Sequence, residues 1–161
     1  MGNYYVKVSA ELNGVTDLCP VDTPDNPFEY TFKIECTKCR EEHPRPVTIN
    51  RFEQYEVTGS KGSANFVYRC RMCKSEHSAS ISRTDRKYTS DDNGKAVPLL
   101  IIDARGVDFT EFKPVGQFQC TGAGSGTAFD EVDLEDGEWF DYDDKEGAEV
   151  SIVDVKWEIT N

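Results

Sequence analysis

The chain has 161 residues, 37% hydrophobic and 11% aromatic, enough to fill one ordinary core and too apolar for wholesale disorder. It carries 18 Lys/Arg against 30 Asp/Glu, a net charge of −12, which disfavours bulk binding to nucleic acid. No apolar run approaches the ~18 residues of a membrane span, and Met1–Ala10 has neither the basic start nor the apolar stretch of a secretory leader. The expectation is a soluble, cytoplasmic chain with intact termini and nuclear access left open, in which six cysteines serve metal or chemistry rather than disulfides.

The hydrophobic pattern alternates from the start. In Tyr4–Leu12 the residues Val6, Val8, Ala10 and Leu12 share one face. Cys19 precedes Pro20 in a loop-like stretch and reads as an ordinary thiol. Phe28–Glu35 alternates again, with Phe28, Tyr30, Phe32 and Ile34 on one side.

Cys36-Thr37-Lys38-Cys39 and Cys70-Arg71-Met72-Cys73 are two C-x-x-C pairs, separated by thirty residues. Two intervening residues let both sulfurs of a pair turn toward one point, so two pairs present four thiolates tetrahedrally. Zinc suits this donor set best, and iron in a rubredoxin-like centre is the other candidate. A redox C-x-x-C opens a helix in a βαβ unit, and neither pair precedes a helical pattern. Four thiolates close the shell, so the metal is expected to staple two strand ends rather than activate water.

Lys38, Arg40, Arg69, Arg71 and Lys74 crowd the site and can offset the charge of −2 on a zinc tetrathiolate. Between Cys36 and Lys87 there are 11 cations and 6 anions, and the metal centre removes two units of that excess. Nucleic acid is therefore not the expected partner. His43 and His77 each lie four residues beyond the second cysteine of a pair, and both read as surface or supporting residues rather than ligands.

Asp85–Lys95 is polar and coincides with a change in charge. Residues 1–90 hold 13 Lys/Arg and 12 Asp/Glu, whereas residues 91–161 hold 5 and 18. The expectation is one domain over 1–161, with sub-units 1–88 and 96–161. Val97–Ile102 is an apolar run containing Pro98, read as a buried segment near a strand start. Gly14-Val15 and Pro20-Val21 find an echo in Gly106-Val107 and Pro114-Val115, with intervals differing by two residues. Duplication of a β unit and chance similarity between β segments are both open.

Gly122–Thr127 fails as a nucleotide loop, because glycine at 127 or a Gly-Lys-Ser/Thr ending is absent. It reads as a flexible turn between strands. Asp130–Glu149 holds eleven carboxylates and one lysine. A calcium loop from Asp141 fails on Lys145 and Glu146. The segment is either a solvated acidic loop or a surface for a basic partner. Trp139 and Tyr142 would pin it to the body or to that partner. Cys120 lacks a partner at ligand spacing. Val150–Thr160 closes the chain with Val153, Val155, Trp157 and Ile159 on one face. No catalytic triad or carboxylate pair stands out, so no catalytic or cofactor-binding residue is assigned beyond the metal ligands.

The fold expected is all-β, two packed antiparallel sheets in a sandwich or barrel-like arrangement, with Phe28, Tyr30, Phe32, Ile34, Val153, Val155 and Trp157 in its core. The order of the two C-x-x-C pairs, Gly62-Ser63-Ala64, Arg105-Gly106, Phe112-Lys113-Pro114, Ser125–Phe129 and Trp139–Asp143 resembles the eukaryotic CXXC motif-containing zinc-binding protein family over about residues 4–160. The resemblance implies a compact all-β fold with one zinc on Cys36, Cys39, Cys70 and Cys73, and no established catalytic activity. Zinc knuckles often carry glycine after the second cysteine. Arg40 and Lys74 stand there instead, which predicts a strained positive φ. The function expected is a zinc-stabilised module that binds another protein through Gly122–Phe129 and Trp139–Asp144. Intracellular zinc donation or buffering is the alternative.

Overall fold

Alternating apolar residues cut by glycine, proline and asparagine turns give many strands and no long helix, because period two cannot bury one face of a helix. The computed structural model describes residues 2–57 and 62–161. In chain order the strands are β1 (Gly2–Asn13), β2 (Val15–Pro20), β3 (Tyr30–Cys36), β4 (Val47–Ile49), β5 (Tyr55–Glu56), β6 (Ser63–Ala64) and β7 (Phe66–Arg69). They continue with β8 (Glu76–Arg83), β9 (Val97–Arg105), β10 (Val107–Lys113), β11 (Phe118–Gly122), β12 (Ala128–Val132), β13 (Trp139–Asp143) and β14 (Ala148–Thr160). Among the described residues the helical element is one 3-10 turn, Ser90–Asp92.

Every ladder is antiparallel. A six-stranded sheet runs β13-β14-β1-β9-β8-β7, and two three-stranded sheets run β10-β3-β4 and β12-β11-β2, with β5-β6 as a short ribbon. At Gly14 and Gly106 the chain leaves the large sheet and enters a small one. Side chains from all three sheets meet in one continuous core. The Trp157 ring of β14 lies 4.7 Å from Phe112 of β10 and 5.6 Å from Phe118 of β11. Phe32 and Phe118 are fully buried, and burial of such a side chain contributes about 1.5–3 kcal/mol.

Val6, Val8, Ala10 and Leu12 are buried, as are Phe28, Tyr30, Phe32 and Ile34. The last strand departs from simple alternation. Its register against β1 steps from Ser9↔Lys156 to Glu11↔Val153, and Asp154 adopts a φ of 54°. This bulge inserts one residue and reverses which side chains face inward. Val150 and Ile152 are therefore core residues before it, while Val155, Trp157 and Ile159 pack on the core after it. Val153, expected in the core, lies outside that group and is only half-buried. Asp85–Lys95 is polar and mostly exposed, yet anchored to the body. Tyr88 within it is fully buried, and its hydroxyl accepts from the Ala10 N–H at 3.0 Å and donates to the Asp92 carbonyl at 2.6 Å.

The topology repeats. Exchanging β1, β2, β3, β4, β7 and β8 with β9, β10, β11, β12, β13 and β14 respectively leaves every pairing among them intact. The register agrees as well. Val107 faces Cys36 as Val15 faces Gly122, and Arg69 faces Glu76 as Tyr142 faces Glu149. The chain thus contains two related β units, and each lends a strand to the other's small sheet. Strands of both units interleave within the large sheet, with β1 between β14 and β9, so the two units share one continuous sheet. Gly14-Val15 and Gly106-Val107 occupy equivalent points. Pro20 faces Phe118, whereas the residue facing Phe32 is Phe112, so Pro114 lies two residues beyond the matching position.

Candidate metal centre

The inward face of β3 ends on Cys36, in line with Tyr30, Phe32 and Ile34, and Cys36 is buried. Cys70 follows β7 directly and is buried as well. Each cysteine then opens the same tight turn. The Arg40 N–H donates to the Cys36 carbonyl at 3.0 Å, and the Lys74 N–H to the Cys70 carbonyl at 2.8 Å. The turn requires a left-handed residue after the second cysteine, and Arg40 and Lys74 take φ values of 62° and 66°. The positive φ expected at these two non-glycine residues is present.

The two knuckles come from different sheets and bring their sulfurs together. All four Sγ atoms lie within 4.8 Å of one another, with Cys36 to Cys73 at 3.7 Å and Cys39 to Cys70 at 3.6 Å. A tetrahedral ion with Zn–S bonds of ~2.3 Å requires sulfurs about 3.8 Å apart, and both of these distances match it. Cys36, Cys39, Cys70 and Cys73 are positioned to hold one metal ion. A metal there joins β3 of a small sheet to the β7–β8 edge of the large one.

Cys39 and Cys73 are pushed in opposite directions. Donation from the Glu41 N–H draws Cys39 down, but desolvation and hydrogen bonds to the Cys70, Cys36 and Cys73 sulfurs outweigh it and raise the thiol to about 12. Ser75, through its hydroxyl and then its N–H, holds Cys73 down at about 6. Metal binding therefore displaces protons from this cluster, and acid opposes it.

The flanking cations are arranged less simply than their spacing predicts. Arg40 pairs with Asp108 at 2.8 Å and Glu35 at 3.3 Å, and Asp108 also accepts from the Tyr4 hydroxyl. Arg69 donates to the Lys74 carbonyl at 2.6 Å, and Lys74 Nζ to the Arg71 carbonyl at 3.0 Å. These bonds brace the knuckle backbone, while Lys38 and Arg71 are exposed. His43 contacts the Arg45 carbonyl through Nδ1 at 2.6 Å and packs edge-on against Tyr68. His77 is 1% exposed, and neither ring nitrogen has a hydrogen-bond partner among the described residues. Burial lowers its pKa below the ordinary imidazole value.

The family model for the CXXC motif containing zinc binding protein, eukaryotic, matches residues 5–160. The chain belongs to this family. A UPF0587 protein of Schizosaccharomyces pombe is 39% identical over 160 residues, covering 99% of both chains. The human CXXC motif containing zinc binding protein is 31% identical, covering 96% of each. The crystal structure of C1orf123 superposes with a TM-score of 0.91 at 29% identity over 99% of each chain. Family membership and sulfur geometry agree on a zinc-binding protein.

The C-terminal segments singled out in the sequence lie together elsewhere. Trp139 is not a free anchor: it packs edge-on against Phe129, with centroids 5.4 Å apart, on the core margin. Asp143, expected among solvated carboxylates, is completely buried. Its hydrogen bonds to Ser125 and Thr127, at 2.5 and 2.9 Å, tie Gly122–Phe129 to Trp139–Asp144. Residues Ser125 and Thr127 are thus structural partners of Asp143 that sequence reasoning missed. The available signal was glycine at 126 and 147, one residue beyond a two-residue spacing. Among the described residues, no helix is long and apolar enough to cross a membrane.

Proposed function

We propose that this protein is a non-enzymatic, zinc-stabilised β module that binds another protein along β13. The observation carrying this reading is the exposure of Phe140 and Tyr142, at 64% and 49%, on a strand at the edge of the large sheet. Asp141, Asp144 and Glu149 are exposed beside them. Aromatic anchors supply contact area, and clustered carboxylates steer a partner carrying a basic patch. Four thiolates fill a tetrahedral shell, which suits a metal that holds strands.

The test is affinity capture from cell extract with wild type and a Phe140→Ser/Tyr142→Ser double variant. The variant loses the captured protein while its melting temperature stays within about 2 °C, the scale of a surface change. Reversing Asp141 and Asp144 to lysine slows association at low salt. Equal capture by all three proteins sinks this surface.

Metal handling is the second reading. It draws on the exposure of Cys39 and the half-exposure of Cys73, which give an acceptor a route to two of four sulfurs. A donor site yields zinc to a mild chelator within minutes; a structural site retains it.

A further inference from the structure

We propose that the turns at 122–127 and 143–148 are a metal-free counterpart of the zinc centre, in which the Asp143 carboxylate holds together two knuckles that zinc holds in the other unit. The duplicated topology places them there. Cys36 ends β3 and Gly122 ends β11; Cys70 follows β7 and Asp143 ends β13. Counting along each turn sets Gly122, Ser125, Asp143 and Glu146 where Cys36, Cys39, Cys70 and Cys73 stand in the first unit.

The backbone hydrogen bonds repeat. Gly126 N–H donates to the Gly122 carbonyl at 2.9 Å, as Arg40 does to Cys36 at 3.0 Å. Gly147 N–H donates to the Asp143 carbonyl at 2.8 Å, as Lys74 does to Cys70 at 2.8 Å. Ala123 N–H reaches the Gly14 carbonyl at 2.9 Å, and Thr37 N–H reaches the Gly106 carbonyl at 3.1 Å. The left-handed position also recurs, with φ of 73° at Gly126 and 67° at Gly147. The glycines usual in zinc knuckles thus appear in the pair of turns that carries no cysteine.

What differs is the bond between the knuckles. Asp143 Oδ2 accepts from the Ser125 hydroxyl at 2.5 Å, and Oδ1 accepts from the Thr127 hydroxyl at 2.9 Å. Oδ1 also accepts from the Lys145 and Glu146 N–H groups at 3.1 and 3.3 Å. Four donors satisfy a carboxylate excluded from water. A Cβ added at Gly122 would collide with Ser125 Oγ and lie 2.5 Å from Asp143 Oδ2. The carboxylate and hydroxyl therefore take the room that a side chain at this position would need. One end of the molecule then depends on metal supply and the other does not.

Two measurements test this on the full chain. Zinc is stripped from wild type, and amide hydrogen exchange is followed at both ends. Protection at 36–41 and 70–75 falls about a hundredfold or more, while protection at 122–127 and 143–148 changes less than about threefold. Loss at both ends together overturns the proposal. The second measurement is zinc content of G122C/S125C/D143C/E146C. A folded variant holding two zinc ions per chain supports the counterpart, and a folded variant holding one overturns it. If that variant fails to fold, wild-type exchange decides.

Discussion

The two knuckle pairs differ in what joins them far more than in the backbone that carries them. At Cys36 and Cys70 four sulfurs gather within 4.8 Å, a spacing that zinc completes. At Gly122 and Asp143 the same turns close on a carboxylate and two hydroxyls. Strand register and one left-handed residue per turn shape both sites. Metal therefore adds cohesion to a geometry that the β framework already favours.

The strongest challenge to that contrast is removal of ligands from one end. Cys36→Ser with Cys70→Ser should take zinc from one ion per chain to none by elemental analysis. The melting temperature should fall more than for any other variant proposed here, because structural metal binding is folding free energy. Retained zinc would refute the ligand assignment.

Acid should separate the ends without mutation. Zinc leaves as protons compete for thiolates, whose ordinary pKa is ~8.5. Asp143 responds to acid in the same direction, but only at lower pH. The Ser125 hydroxyl, then Thr127 and the backbone N–H groups of Glu146 and Lys145, hold its pKa below the ordinary 3.8. A depressed carboxylate contributes stability above its unfolded pKa and loses it as pH falls through the folded value. Amide signals at 122–127 should thus outlast zinc release in an acid titration. Simultaneous loss would remove the distinction.

Gly122→Ala is a smaller perturbation aimed at the other end. Its Cβ meets Ser125 and Asp143, and overpacking of this kind costs about 2–3 kcal/mol. That lowers the melting temperature by roughly 4–12 °C at ~2–4 °C per kcal/mol. Zinc content should remain one. Neighbouring aromatics sharpen the division between support and surface. Trp139→Ala should cost about 2 kcal/mol through lost packing on Phe129, whereas Phe140→Ala should stay within about 0.5 kcal/mol. Thermal melts measure both.

A small effect of the opposite sign concerns His77. It stands seven residues after Cys70, where the second unit has Val150 seven after Asp143, and each packs beneath a turn glycine. His77→Val removes a buried imidazole whose nitrogens have no hydrogen-bond partner among the described residues, and should raise stability by about 1 kcal/mol, read by denaturant unfolding. A decrease would mean that the ring supports the zinc end.

Much of this was legible in the chain. Alternation identified β1, β3 and the inward faces of both, since a strand buries every second residue whatever it packs against. Two C-x-x-C pairs named the ligands, because two intervening residues suffice to aim both sulfurs at one point. Position 153 was misjudged because a bulge at Asp154 reverses inward and outward, and no local composition marks it. Asp143 was misjudged for a related reason. Its neighbours are acidic and exposed, and its partners lie 16 and 18 residues away on another turn. Local chemistry, which depends on spacing within a strand or a turn, was therefore determined by the sequence alone. The exchange of strands between the two units, the burial of one carboxylate among many and the likeness of its turns to the zinc knuckles were decided only in three dimensions, because each depends on register between strands distant in the chain.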